Sequence, residues 1–279
     1  LDLTVQIDEE FSRIASLSDD QIDLAEGALL ISRTTYPELD ESLYLGRLDR
    51  IAARVRRDLT ADTEAEDIIA RMNHVLFAIE KFRGNQDDYY DPDNSFLNRV
   101  LDRKTGIPIT LSLIYIEVAG RLGLDVRGIG LPGHFITALY HKSEKFFIDP
   151  FNHGEIRSMA DCLEIVRKYT GEPAAPDGQW LQPIGKKELL ARMLRNLKLI
   201  YAQQENDVML FKMIHWILTL QPESPSELSA RAMMYEDMGN PARAAKDWER
   251  LLPTITDAKT VTLIRARIEN LKNQRSRIH

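Results

Sequence analysis

The chain has 279 residues, 44% hydrophobic and 28% charged, with a formal net charge of −7, enough for one large domain or two smaller ones. Residues 1–184 carry 20 Lys/Arg against 32 Asp/Glu and residues 185–279 carry 16 against 11, so nucleic-acid binding by the acidic body is disfavoured and the basic tail reads as a solvated helical surface. The single cysteine, Cys162, excludes an intrachain disulfide and a Cys-rich zinc site and suits a reducing cytoplasm; no run reaches the roughly 18 apolar residues of a membrane helix, and no secretory signal is expected.

Helical spacing of apolar residues predicts a first helix over 8–33, with Asp20 as a cap before Ile22 and Tyr36-Pro37 as the stop. A second helix is expected from about Glu41, with Leu43, Leu45, Leu48, Ile51, Ala52 and Val55 as one apolar face. The third is expected from Thr63 to Phe82, burying Ile68, Ile69, Met72, Val75, Leu76, Ile79 and Phe82, with His74 as a packing or surface residue. A turn-rich loop with four aspartates follows, from Gly84 to Ser95. Its Asp91-x-Asp93-x-Ser95 run mimics the start of a calcium loop, but Phe96 stands where the sharp turn requires glycine. The loop therefore reads as a cap, with Asn94 or Ser95 opening a helix from Phe96 to Arg103 and Gly106 as its left-handed stop.

The next helix, Thr110 to Leu122, is apolar around most of its circumference and belongs inside the domain; Gly123 ends it. Val126–Gly130 is a first strand, and His134–Tyr140 and Lys145–Asp149 form a hairpin around residues 141–144. A turn centred between Lys142 and Ser143 sets His134 opposite Phe151, and Asp149 becomes its diagonal neighbour on the same face, about 7–8 Å away. A slip of one residue would separate the two. Ser158–Lys168 reads as a short helix with Cys162 at a buried structural position, and residues 171–185 as a Gly/Pro linker. In the tail, Tyr201, Asn206 and Ile214 recur as Tyr235, Asn240 and Trp248 at an offset of 34, the tetratricopeptide (TPR) period. Leu263, Ile264, Ile268 and Leu271 mark a capping helix.

One arrangement carries chemistry. Thiol enzymes of the papain type place a nucleophile at the start of a buried helix, where the helix dipole stabilises the thiolate. A histidine on a neighbouring strand moves the proton, and a carboxylate or amide fixes its tautomer. His134 and Asp149 fit the second and third roles, while the helix start offers Pro108, Thr110 and Ser112 but no cysteine.

The runs Asp23-Leu-Ala25, Phe82-Arg-Gly-Asn85, Asn94-Ser-Phe-Leu-Asn98, Arg103-Lys-Thr-Gly-Ile-Pro-Ile-Thr110, Arg121-Leu-Gly-Leu124, Leu131-Pro-Gly-His-Phe135 and Ile148-Asp-Pro-Phe151 resemble the bacterial SirB family over nearly the whole chain. The family's usual Gly-Gly after the last run is His153-Gly154 here. The resemblance implies an α+β fold: N-terminal helices, a transglutaminase-like (papain-like) core with a small antiparallel sheet, then an all-α TPR-like tail. It divides the chain into a domain over 1–184 (N-terminal helices 1–93, core 94–170, linker 171–184) and a tail over 185–279. In active transglutaminase-like relatives a Gly-x-Cys opens the buried helix, and counting back from Gly123 puts Pro108 at the cysteine's place. The expectation is a cytoplasmic pseudoenzyme, non-enzymatic or regulatory, that meets a protein or peptide partner through its tail. No cofactor, metal, nucleic acid or membrane is involved in this reading. The alternative is a hydrolase or acyl transferase using His134–Asp149 with Thr110 or Ser112, with His134 deprotonating the hydroxyl. A third reading would place a metal among His134, Asp149, His153 and the Asp87–Asp93 loop.

Overall fold

An all-round apolar helix needs neighbours on every side, and the protein supplies them in two layers. The computed structural model describes residues 3–171 and 179–276, so residues 172–178 of the expected linker lie outside the described residues. The chain divides into two compact units, 1–193 and 194–279, and the division falls inside a helix, α8 (Lys186–Gln203).

The first unit begins with α1 (Leu3–Ser16), α2 (Leu24–Arg33), α3 (Glu41–Arg56) and α4 (Ala65–Asn73). The single helix expected over 8–33 is two helices. A short 3-10 turn, Asp19–Gln21, interrupts it, and the cap of α2 is Asp23, not Asp20: its Oδ1 accepts from Glu26 N at 2.9 Å. The helix expected over Thr63–Phe82 is also shorter, because His74–Ile79 widens into a π-helical turn. Leu43, expected on the apolar face of α3, is 46% exposed.

Next come β1 (Arg83–Gly84), α5 (Leu97–Arg103), β2 (Thr105–Gly106) and α6 (Pro108–Arg121). β1 and β2 pair in parallel. Neither Asn94 nor Ser95 caps α5; Phe96 holds the N-cap position without a side-chain bond, and the left-handed stop is Lys104 (φ 59), not Gly106. Gly106 is needed for closeness instead, since a Cβ there would lie 2.7 Å from Thr110 Oγ1. The sheet has the order β3 (Asp125–Ile129), β4 (Ile136–His141), β5 (Glu144–Asp149) and β6 (Glu155–Arg157), all antiparallel. α6 packs on β3 and β4 from one side and on α2, α3 and α5 from the other. That sandwiching leaves Leu111, Leu113, Ile114, Tyr115 and Val118 buried and explains why its sequence has no polar stripe. α7 (Met159–Thr170), capped by Ser158, brings Cys162 and Val166 to a small core with Ile136, Ala138 and Phe147.

The second unit holds the end of α8 and then α9 (Asp207–Leu220), α10 (Pro225–Asp237), α11 (Pro241–Leu251) and α12 (Ala258–Ser276). Ile214, Leu218, Leu228, Ala232, Ala244, Trp248 and Ile268 form its core. The 34-residue offset has a structural counterpart. Asn206 caps α9 by accepting from Met209 N at 3.2 Å, and Asn240 caps α11 by accepting from Arg243 N at 3.3 Å. Each is preceded by a left-handed residue, Glu205 (φ 55) in the first turn and Gly239 (φ 67) in the second.

Only one of these turns uses the residue suited to it. A Cβ at Gly239 would meet nothing within 4 Å, so its backbone conformation alone sets the cost of replacing it. Gly239→Ala is expected to lower stability by about 1 kcal/mol in urea unfolding followed by tryptophan fluorescence, and Glu205→Gly to hold or raise it.

Candidate functional site

Lys142, with φ 54, closes the β4–β5 hairpin in two residues, and the ladder runs from His141↔Glu144 to Thr137↔Ile148. This is the register in which His134 and Asp149 share a face. His134 lies just ahead of β4 rather than in it, in a turn where its N–H donates to Leu131 O at 3.3 Å. Gly133 enters that turn at φ 68. His134 Nε2 stands 3.0 Å from Asp149 Oδ2.

Asp149 ends β5 and is 0% exposed. A buried carboxylate needs donors, and they arrive from three directions. Besides His134, Asn152 gives Nδ2 to Oδ2 at 2.8 Å and its backbone N–H to Oδ1 at 3.4 Å. Arg157, from β6, sends Nη2 to Oδ2 at 3.5 Å. Burial by itself would raise the carboxyl's pKa, but the hydrogen bond and charge of His134, with Asn152 and Arg157, outweigh it and hold Asp149 below 3.8.

The His134 ring meets Phe151 edge-on at 6.1 Å between centroids. Phe151 in turn covers Gly84, where a Cβ would come within 2.6 Å of its ring. Behind the site, the π-helical turn brings Asn73 Nδ2 to Gly154 O at 2.8 Å and sets Phe77 edge-on to His153 at 5.9 Å.

The start of α6 is a different environment. Pro108 is its first residue. Thr110 Oγ1 donates to Asn94 O at 2.8 Å, accepts from Ile107 N at 3.1 Å and lies 3.1 Å from Ile107 O. Ser112 Oγ donates to Phe135 O at 3.4 Å. Both residues are 0% exposed, and neither hydroxyl makes a hydrogen bond to His134. The structure thus brings His134 and Asp149 together and leaves Thr110 and Ser112 to the backbone.

The remaining candidates separate as well. Cys162 is fully buried, and burial pushes its thiol up to about 11. Asp91 and Asp93 are held by Arg103 at 2.6 and 3.2 Å. Among the described residues no group of three or more His, Cys, Asp or Glu could hold a metal, and no helix is long and apolar enough to cross a membrane. Sequence reasoning missed Asn152 and Arg157. Asn152 had a signal, since an aspartate three residues ahead in Asp-Pro-x-Asn is turn chemistry. Arg157 sits on a strand of three residues, too short to show a period.

The buried helix α6 is thus backed by an antiparallel sheet that ends in a histidine–carboxylate pair. The chain belongs to the transglutaminase-like superfamily, whose family model matches residues 42–195. A UPF0162 protein of Xylella fastidiosa is 33% identical over 272 residues, 96% of this chain and 97% of the relative. A UPF0162 protein of Vibrio cholerae is 24% identical over 255 residues, covering 91% and 94%. Human F-box only protein 21 is 28% identical over 183 residues, 62% of this chain but 28% of that protein. No solved structure matches the chain.

Because Asp149 is held below 3.8 when folded, its contribution to stability is complete above the unfolded value and is lost as pH falls through the folded one. Asp149→Asn is expected to destabilise by about 1–3 kcal/mol at pH 6. In urea titrations the gap from wild type should narrow as pH falls below the usual carboxylate range.

Proposed function

We propose that this chain is a cytoplasmic, SirB-type transglutaminase-like pseudoenzyme that acts without catalysis, by binding a protein or peptide partner through its TPR-like tail. The observation that carries the reading is the start of α6. Proline stands first, and the two nearby hydroxyls are buried and bonded to backbone. An alcohol so placed has no base beside it and no open face for a substrate. The imidazole–carboxylate pair then acts as a structural clasp at the end of the hairpin. The tail's repeated cap and left-handed turn, Glu205-Asn206 and Gly239-Asn240, support a pair of related helical hairpins. Stacked hairpins of this kind offer helical faces to partners. Met233 and Met238, 44% and 55% exposed around the end of α10, leave apolar side chains in water on the tail.

The two halves of the proposal separate in cells from which the gene has been deleted. His134→Ala is expected to restore the function lost on deletion, and Met233→Asp with Met238→Asp to fail although the protein accumulates. Restoration by the tail variant together with failure of His134→Ala contradicts the proposal.

A further inference from the structure

The loop ahead of α5 and the end of α7 are far apart in sequence, yet both carry exposed tyrosines, and Tyr169 borders the His134 turn. Tyr169, 69% exposed, lies across Gly133: a Cβ there would be 2.1 Å from its ring. Tyr89 and Tyr90 are 37% and 54% exposed, with ring centroids 5.4 Å apart, edge to face. Partial burial, then the neighbouring Tyr90 and Tyr169 phenols, push the Tyr89 hydroxyl above its usual value, which places all three phenols in one neighbourhood. Large aromatic side chains left in water at one spot are uncommon in a protein that works alone, and tyrosine is enriched where proteins meet.

Charge says what kind of partner fits. Of the four aspartates in this loop, Asp91 and Asp93 are tied to Arg103, and Asp93 also to Arg99 at 2.9 Å. Asp87 and Asp88, next to the tyrosines in the chain, are exposed and form no ion pair among the described residues. The loop is held in shape without their carboxylates. Buried Asn94 donates to Asp88 O at 2.7 Å, Asn85 Oδ1 accepts from Asp88 N at 3.0 Å, and Asn85 Nδ2 donates to Asn94 Oδ1 at 3.1 Å. A preformed loop lowers the ordering cost of binding.

We propose that Tyr89, Tyr90 and Tyr169, with the carboxylates of Asp87 and Asp88, form a docking surface for an arginine-bearing segment of a partner protein. A guanidinium is planar and weakly hydrated, stacks on a phenol ring and forks onto carboxylates, which an ammonium does less well. The acidic balance of the body, 20 Lys/Arg against 32 Asp/Glu over residues 1–184, favours the approach of a cationic segment. This surface lies on the first unit and goes beyond the tail reading; either can fail alone.

The test is fluorescence polarisation with the full chain and a labelled, end-blocked peptide carrying two arginines separated by glycine. A twin peptide carrying lysines is the comparison. Saturable binding of the arginine peptide is expected, about tenfold or more weaker for the paired change Tyr89→Ala and Tyr169→Ala and for Asp87→Asn with Asp88→Asn. The lysine peptide is expected to bind several-fold more weakly. Tyr89→Phe with Tyr169→Phe keeps the rings and should keep the affinity, which guards against reading a folding defect as lost contact. Met233→Asp with Met238→Asp should leave peptide binding unchanged, which separates this surface from the tail. No saturable binding by the wild type at millimolar peptide overturns the proposal. So does equal binding by the alanine or asparagine variants, equal affinity for the lysine peptide, or loss in the phenylalanine variant.

Discussion

A carboxylate taken fully out of water must be surrounded by donors or it unfolds what surrounds it. Asp149 is that carboxylate, and the geometry of the hairpin end follows from satisfying it. His134 comes from the turn before β4, Asn152 from the turn after β5 and Arg157 from the edge strand β6. Each donor ties a separate piece of chain to one point. The same residue's backbone carbonyl accepts from Gly154 N at 2.9 Å, closing the turn that packs against the π-helical segment. Chemistry and architecture therefore draw on one group, and a hydrogen-bonded imidazole is not by itself a sign of turnover.

The start of α6 shows what a helix N-terminus does with proline at its first position. Proline is at ease at the first helical position because its missing N–H costs nothing there. Thr110 then works as an anchor. Its hydroxyl joins the turn at Ile107 to the loop at Asn94, and Asn94 in turn organises the acidic loop. A helix end that would stabilise a thiolate serves here to lock three segments together. The polar runs of the sequence around Asn85, Asn94 and Thr110 thus meet as one hydrogen-bonded cluster.

Much of this could be read from the amino acids, for reasons that differ from place to place. The hairpin register was legible because a two-residue turn at Lys142-Ser143 leaves a single pairing, and the His134–Asp149 approach follows from it. The buried character of α6 was legible because apolar residues cover most of its circumference. The break between α1 and α2 was not, since apolar residues keep helical spacing across it while Asp23 opens a second helix. The π-helical turn was hidden for a similar reason: one widened turn leaves the apolar pattern of Val75 and Leu76 intact. The left-handed stop after α5 fell on Lys104 rather than the nearby glycine, because Gly106 was needed for its closeness to Thr110 and the strand pair β1–β2. Asn206 and Asn240 were visible as a repeated pair, but their shared role as caps emerged only with the backbone in view.

The central claim is that the His134–Asp149 pair stands without a side chain poised for attack among the described residues. Labelling the purified protein with a fluorophosphonate and with an iodoacetamide probe, then mapping adducts by mass spectrometry in wild type and His134→Ala, tests it most directly. The account predicts no His134-dependent adduct anywhere in the chain under native conditions. An adduct on Thr110, Ser112 or Cys162 that disappears in His134→Ala would contradict it.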